Sequence, residues 1–93
     1  MDTTYSDRRK YRRHNKNAPG QIIRLSRGVQ IGTIVRCLVV NISRGGALIH
    51  SELDVTAPEF YLELDTEPGN LRLCSVVRRV GDSDRRLSVE FVI

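Results

Sequence analysis

The sequence is poor in the residues on which redox proteins, metalloenzymes and secreted scaffolds depend. Its two cysteines, Cys37 and Cys74, are too few for a dense disulfide framework, and a reducing cytoplasm is the expected setting. Both lie inside apolar stretches and read as small core residues. The two histidines, His14 and His50, have no nearby carboxylate spacing that would build a metal site. No CxxC, HExxH, P-loop or nucleophile-elbow pattern occurs. The acids Glu63, Asp65, Asp82 and Asp84 fall at exposed strand or turn positions. Catalysis is therefore not expected, nor is a bound metal or cofactor. Aromatic residues make up only 5% of the chain, which leaves few platforms for stacking nucleic-acid bases. No RNA-recognition motif appears. No apolar run approaches the roughly 20 residues needed to cross a bilayer, and no apolar segment follows the basic amino terminus to make it a secretory signal.

What remains is one small domain. At 93 residues with 40% hydrophobic content, the chain can bury about two-thirds of its unfolded surface around one compact core. Its formal charge of +4 hides a division. Residues 1–27 carry eight lysines and arginines against two aspartates, a net +6, while residues 28–93 carry seven arginines against nine acids, a net −2. The excess is concentrated in residues 8–13 and is mostly arginine. Such a segment either meets an anionic partner or is simply a solvated basic arm. Guanidinium adds bidentate hydrogen bonding and stacking that ammonium lacks.

The chain changes character after residue 20. Residues 1–19 lack apolar periodicity and close on an Asn-Ala-Pro-Gly boundary signal, so they read as a flexible basic arm. Residues 20–93 read as the folded domain. Strands are expected at 21–27, 31–40, 47–49, 60–65, 71–80 and 87–93. Residues 31–40 are apolar at both parities, which predicts burial on both faces. The alternation of 71–80 slips near Cys74 to Val77, a sign of a bulge. Six strands, frequent turn signals and no long helix predict an all-β antiparallel barrel or sandwich.

Two patterns carry chemistry. Arg8, Arg9, Lys10, Tyr11, Arg12 and Arg13 stand immediately before the barrel, with Arg9 and Arg13 four apart. Such a pair suits phosphates and flat purine faces. About thirty residues later comes Asn41-Ile42-Ser43-Arg44-Gly45-Gly46. Asn41 is suited to a base edge and Ser43 to a phosphate or sugar, and the glycines to positive φ and a close-approaching ligand. Taken alone, the same six residues describe an ordinary turn in which Asn and Ser bond their own backbone.

Together, RxxxR followed by NxSxxG between barrel strands resembles the PilZ domain family, and the resemblance covers essentially the whole chain. It extends to the entry of the next strand at Gly46-Ala47 and to the last strand, Arg86-Leu87-Ser88-Val89-Glu90-Phe91. The resemblance implies a six-stranded PilZ-type β-barrel that binds the bacterial second messenger cyclic di-GMP. By position, Arg9 and Arg13 match the motif arginines that contact phosphates and stack on guanine, and Arg8 matches an assisting arginine. Asn41 and Ser43 match the polar pair around guanine, and Gly46 matches the motif glycine. The implied output is ordering of the arm and altered contact with a downstream protein. Two departures stand out: Arg12, where relatives often carry an apolar or small residue, and no sequence after Ile93 for the carboxy-terminal helix that many relatives have. A PilZ-fold adaptor that binds a partner protein without nucleotide is the alternative. Nucleic acid and membrane are not expected partners.

Overall fold

The computed structural model describes residues 14–25 and 31–92, and within them the chain forms six antiparallel strands. These are β1 (His14–Leu25), β2 (Ile31–Ile42), β3 (Gly46–Ser51), β4 (Glu59–Leu64), β5 (Leu71–Arg79) and β6 (Arg86–Phe91). They close into a barrel in the order β1-β2-β3-β6-β5-β4, with β4 pairing back onto β1. Closure gives every strand a partner on each side, although β4 pairs with only Gly20–Ile23 of β1, and this reduces the template for edge-to-edge aggregation.

The strands form where branched and aromatic residues alternate with polar ones. Phe60, Leu62 and Leu64 point inward from β4, while Glu59, Tyr61 and Glu63 point outward. Leu87 and Val89 do the same from β6, and Ala47 and Ile49 from β3. These side chains meet Ile22, Val35, Val39 and Cys74 in one core. Each fully buried Leu, Ile or Val in it contributes about 1.5–3 kcal/mol. Burial pushes the thiols of Cys37 and Cys74 up to about 12, so both are neutral core residues.

β2 departs from the expectation of two buried faces. Val35, Cys37 and Val39 are buried, but Ile34 and Leu38 are 52% and 38% exposed on the outside. A barrel has one interior, and nothing among the described residues covers the outer face of β2. β1 also begins earlier than the boundary signal implies, at His14 rather than after residue 20. Asn17 takes a left-handed φ of 45° at a register shift between Asn15 and Ala18, so the apparent boundary is a bulge within the strand. Pro19 is tolerated because its missing N–H lies on the β4 side, where β1–β4 pairing ends at Gly20 opposite Leu64.

The turns are held by specific groups. Gly69 has φ of 85° in the β4–β5 connection, a conformation that favours glycine. Its N–H donates to Glu63, which also accepts from Gln21 on β1. Residues 52–58 cross the barrel end that lies away from the Ser43–Gly46 turn. Val55 is fully buried there, and the Arg79 guanidinium donates to the carbonyls of Val55, Thr56 and Ala57.

Candidate functional site

The Asn41–Gly46 segment joins β2 to β3 at one end of the barrel. Its turn is built by Ser43. The Ser43 N–H donates to the Gly46 carbonyl at 2.8 Å. The Ser43 hydroxyl accepts the N–H groups of Gly45 and Gly46, both at 3.2 Å, and points back to the Gly46 carbonyl at 3.4 Å. A hydroxyl has one proton and two lone pairs, so the turn occupies its full capacity. Ser43 sets the shape of this loop.

Gly46 has a different reason from the one its position in a turn implies. Among the described glycines only Gly69 and Gly81 have positive φ, so neither Gly45 nor Gly46 uses left-handed backbone freedom. The need at Gly46 is space. A Cβ there would lie 2.1 Å from the Val89 carbonyl oxygen and 3.3 Å from the Glu90 Cα. The residue lets β3 approach β6 at the point where Gly46 faces Glu90. The Phe91 N–H donates to the Gly45 carbonyl at 2.9 Å, closing the same corner.

Asn41 lies on the outer face. It pairs with Leu48, whose neighbours Ala47 and Ile49 are fully buried and therefore inward. A register shift between Val39 and Asn41 puts it there. The outer face continues through Leu48 opposite Ser88 on β6, and Ser88 opposite Arg78 on β5. The slip in the β5 pattern is a real bulge, with the shift between Val76 and Arg78.

The strand that follows the basic motif in sequence enters at the same place. Arg8, Arg9 and Arg13 lie outside the described residues, but the chain that follows them is placed. His14 pairs with Ile42 and Asn15 with Asn41. Arg13 is thus covalently next to a residue that faces the NxSxxG segment. Arg9 is five residues from His14, a span of at most about 18 Å.

The model of the PilZ domain family matches residues 7–93. The chain belongs to the PilZ family. The match includes both arginine positions and the whole barrel, and the closed six-stranded architecture agrees with it. PilZ domains are generally cyclic di-GMP receptors, and they are binding or adaptor domains rather than enzymes. No curated protein and no solved structure matches this PilZ domain. Among its described residues no helix is long and apolar enough to cross a membrane, and no cluster of three or more His, Cys, Asp or Glu is placed to hold a metal.

Arg78 is the residue of this face that sequence reasoning passes over. Its signal was present in the broken alternation of β5, since a bulge changes which side chain faces outward.

Proposed function

We propose that this PilZ domain binds cyclic di-GMP on the outer face of the barrel beside the β2–β3 turn, with Arg9 and Arg13 as its principal phosphate and guanine contacts and Arg8 assisting. Asn41 offers its side-chain amide from the outer face. Ser43 and Gly46 hold the turn that presents it.

The observation that carries this reading is the pairing of His14 and Asn15 with Ile42 and Asn41. It brings His14 and Asn15, the two residues after the RxxxR motif, beside the start of NxSxxG at one corner of one sheet, which supports a site that draws on both motifs. The ligand class follows from the chemistry at that corner. Arginines hold phosphates by paired hydrogen bonds and lie flat on purines. An outward amide on an otherwise half-apolar surface gives a directional contact to a base edge. A cyclic dinucleotide, dianionic and planar at both ends, uses all of these together.

Binding draws Arg9 and Arg13 against the barrel beside Asn41, and the altered surface is what a downstream protein reads. The test is calorimetric titration of the full chain with cyclic di-GMP, alongside Arg9→Ala and Arg13→Ala. Saturable binding by the wild type and a loss of at least tenfold in each variant is expected, since a charge-assisted contact is worth about 1.5–3 kcal/mol. Absence of binding by the wild type at tens of micromolar ligand would overturn the reading.

A further inference from the structure

Strand β4 turns one side to the core, and its outer side carries a pattern of its own. Glu59, Tyr61 and Glu63 alternate with the buried Phe60, Leu62 and Leu64, so the three outward side chains share one side of the strand. The neighbouring strands add apolar surface. Tyr61 stands between Ile23 on β1 and Leu73 on β5, and Ile23 pairs onward with Ile34, one of the exposed apolar residues of β2. Among the described residues, Glu59, Phe60, Tyr61 and Leu73 line a cleft of about 310 Å³ here.

The charge of this face is unanswered. Glu59 is exposed and meets no cation among the described residues. Glu63 accepts from the neutral Gln21 amide and Gly69 N–H, so it keeps its charge as well. Arg36, on the same outer side of the barrel, is committed to Asp65.

The complement is in the same sequence. Arg9, Tyr11 and Arg13 repeat the spacing of Glu59, Tyr61 and Glu63 with opposite charge. In an extended chain alternate residues share a side, and each triplet then spans about 13 Å. Both patterns read the same in either direction. Laid along β4, such a segment sets a guanidinium at each carboxylate and an aromatic ring against Tyr61 and Leu73. One copy cannot do this for itself. Arg13 adjoins His14, which pairs with Ile42. Tyr61 pairs with Ile23, nine residues further along β1 than His14 and about 30 Å away along the strand.

We infer that the outer face of β4 is a docking surface for residues 9–13 of a second copy of this chain. The carboxylates of Glu59 and Glu63 hold its two arginines, and the cleft takes the ring of Tyr11. Association and nucleotide binding then draw on the same arginines and exclude one another. Only that competition rests on the cyclic di-GMP reading.

The test is sedimentation equilibrium of the full chain as wild type, Arg9→Glu, Glu59→Arg, an equimolar mixture of those two variants, and Glu52→Arg, with a thermal melt of each. Glu52 is the control. It is exposed and meets no cation among the described residues, but it follows β3 and stands off β4. The average mass of the wild type should rise from micromolar to millimolar protein and fall in high salt. Arg9→Glu and Glu59→Arg should each associate at least about tenfold more weakly. Their mixture should recover association, because each variant keeps the half that the other has lost. Glu52→Arg should match the wild type, and saturating cyclic di-GMP should return the wild type to monomer. A wild type that stays monomeric throughout would overturn the inference. Undiminished association of Glu59→Arg, or a mixture no better than its components, would do the same. Association that persists with nucleotide bound would overturn the use of Arg9 and Arg13 in it. Association without any nucleotide binding would overturn the nucleotide reading and leave the docking surface standing.

Discussion

Strand β4 and the row running from Asn41 to Arg78 are built on opposite plans. β4 pairs with β1 and with β5 in unbroken register, and its side chains alternate strictly between core and solvent. The row crosses β2 and β5 where register is broken on each. The regular strand devotes every inward position to packing. The broken strands each carry one unmatched valine, and in exchange a polar or charged side chain is turned outward. If the row binds the nucleotide as proposed, stability and recognition are separable in this small barrel, and substitutions on the two sides should fail in different ways.

The largest effect should come from the regular side. Leu62 is fully buried at the centre of β4, between Ile22 on β1 and Arg72 on β5. Leu62→Ala removes buried methyl groups and leaves a cavity, at a cost of about 3 kcal/mol. In a domain of this size that lowers the melting temperature by more than about 10 °C. Urea titration followed by circular dichroism checks the value. Nucleotide affinity of the fraction that stays folded should be unchanged, because the outer row does not touch Leu62.

Gly46 joins the two plans, and its replacement should affect both. A Cβ at this position meets backbone of β6 at 2.1 Å, and backbone cannot swing aside as a side chain can. Gly46→Ala should cost about 2 kcal/mol, in the range of overpacked sites. It should also weaken cyclic di-GMP binding, since separating β3 from β6 displaces Leu48 from Ser88 in the row. Gly45→Ala, two positions from Ser43 and without a left-handed φ, is the comparison. A melt showing equal stability for Gly46→Ala and wild type would disprove the close-approach role.

The regular plan was legible from sequence, and the broken one largely was not. Alternation in Phe60, Leu62, Leu64 and in Leu87, Val89 identifies strands and their buried faces because side chains on a strand repeat with a period of two. A bulge destroys that signal at the residue where it matters. The slip near Val77 is visible because Val76 and Val77 are both apolar, yet which neighbour it turns outward depends on the partner strand. On β2 the apolar run hides the bulge altogether, since Val39 and Val40 differ in nothing but register. The run at 31–40 reads as buried on both faces, but a closed barrel has one interior, so Ile34 and Leu38 stand outside. Asn17, Pro19 and Gly20 read as a boundary because turn residues and bulge residues are the same residues. The glycines of NxSxxG read as sources of positive φ. Only the approach of β6, forty residues later, gives Gly46 its purpose. The proposed site is legible as two motifs, and the pairing of His14, which follows the first, with Ile42 of the second is a property of the fold.

The smallest effect concerns a contact on the outside of the regular half. Arg36 on β2 reaches over β1 to Asp65 at the end of β4, with bonds of 3.0 and 2.6 Å. Both side chains are nearly half exposed, at 47% and 43%, and exposed pairs contribute little. Hydrogen bonds from Arg36, with its charge attraction added, hold the Asp65 carboxyl below its ordinary 3.8 against the opposing effect of desolvation. The folded state therefore holds the proton less tightly than the unfolded state. The pair's contribution is full above the unfolded value near 3.8 and is lost as pH falls through the lower folded value. Asp65→Asn should be slightly less stable than wild type by a constant amount above about pH 5. Below pH 4 the two stabilities should converge. A gap that stayed constant down to the acid transition would show that Asp65 acts through shape rather than charge. Cyclic di-GMP affinity should be the same in both proteins, because the Arg36–Asp65 pair lies beyond Leu38 from the Asn41 row. A change in affinity without a change in stability would mean that the outer face of β1 and β2 belongs to the site, and that the separation between the two halves of the barrel is less complete than the register implies.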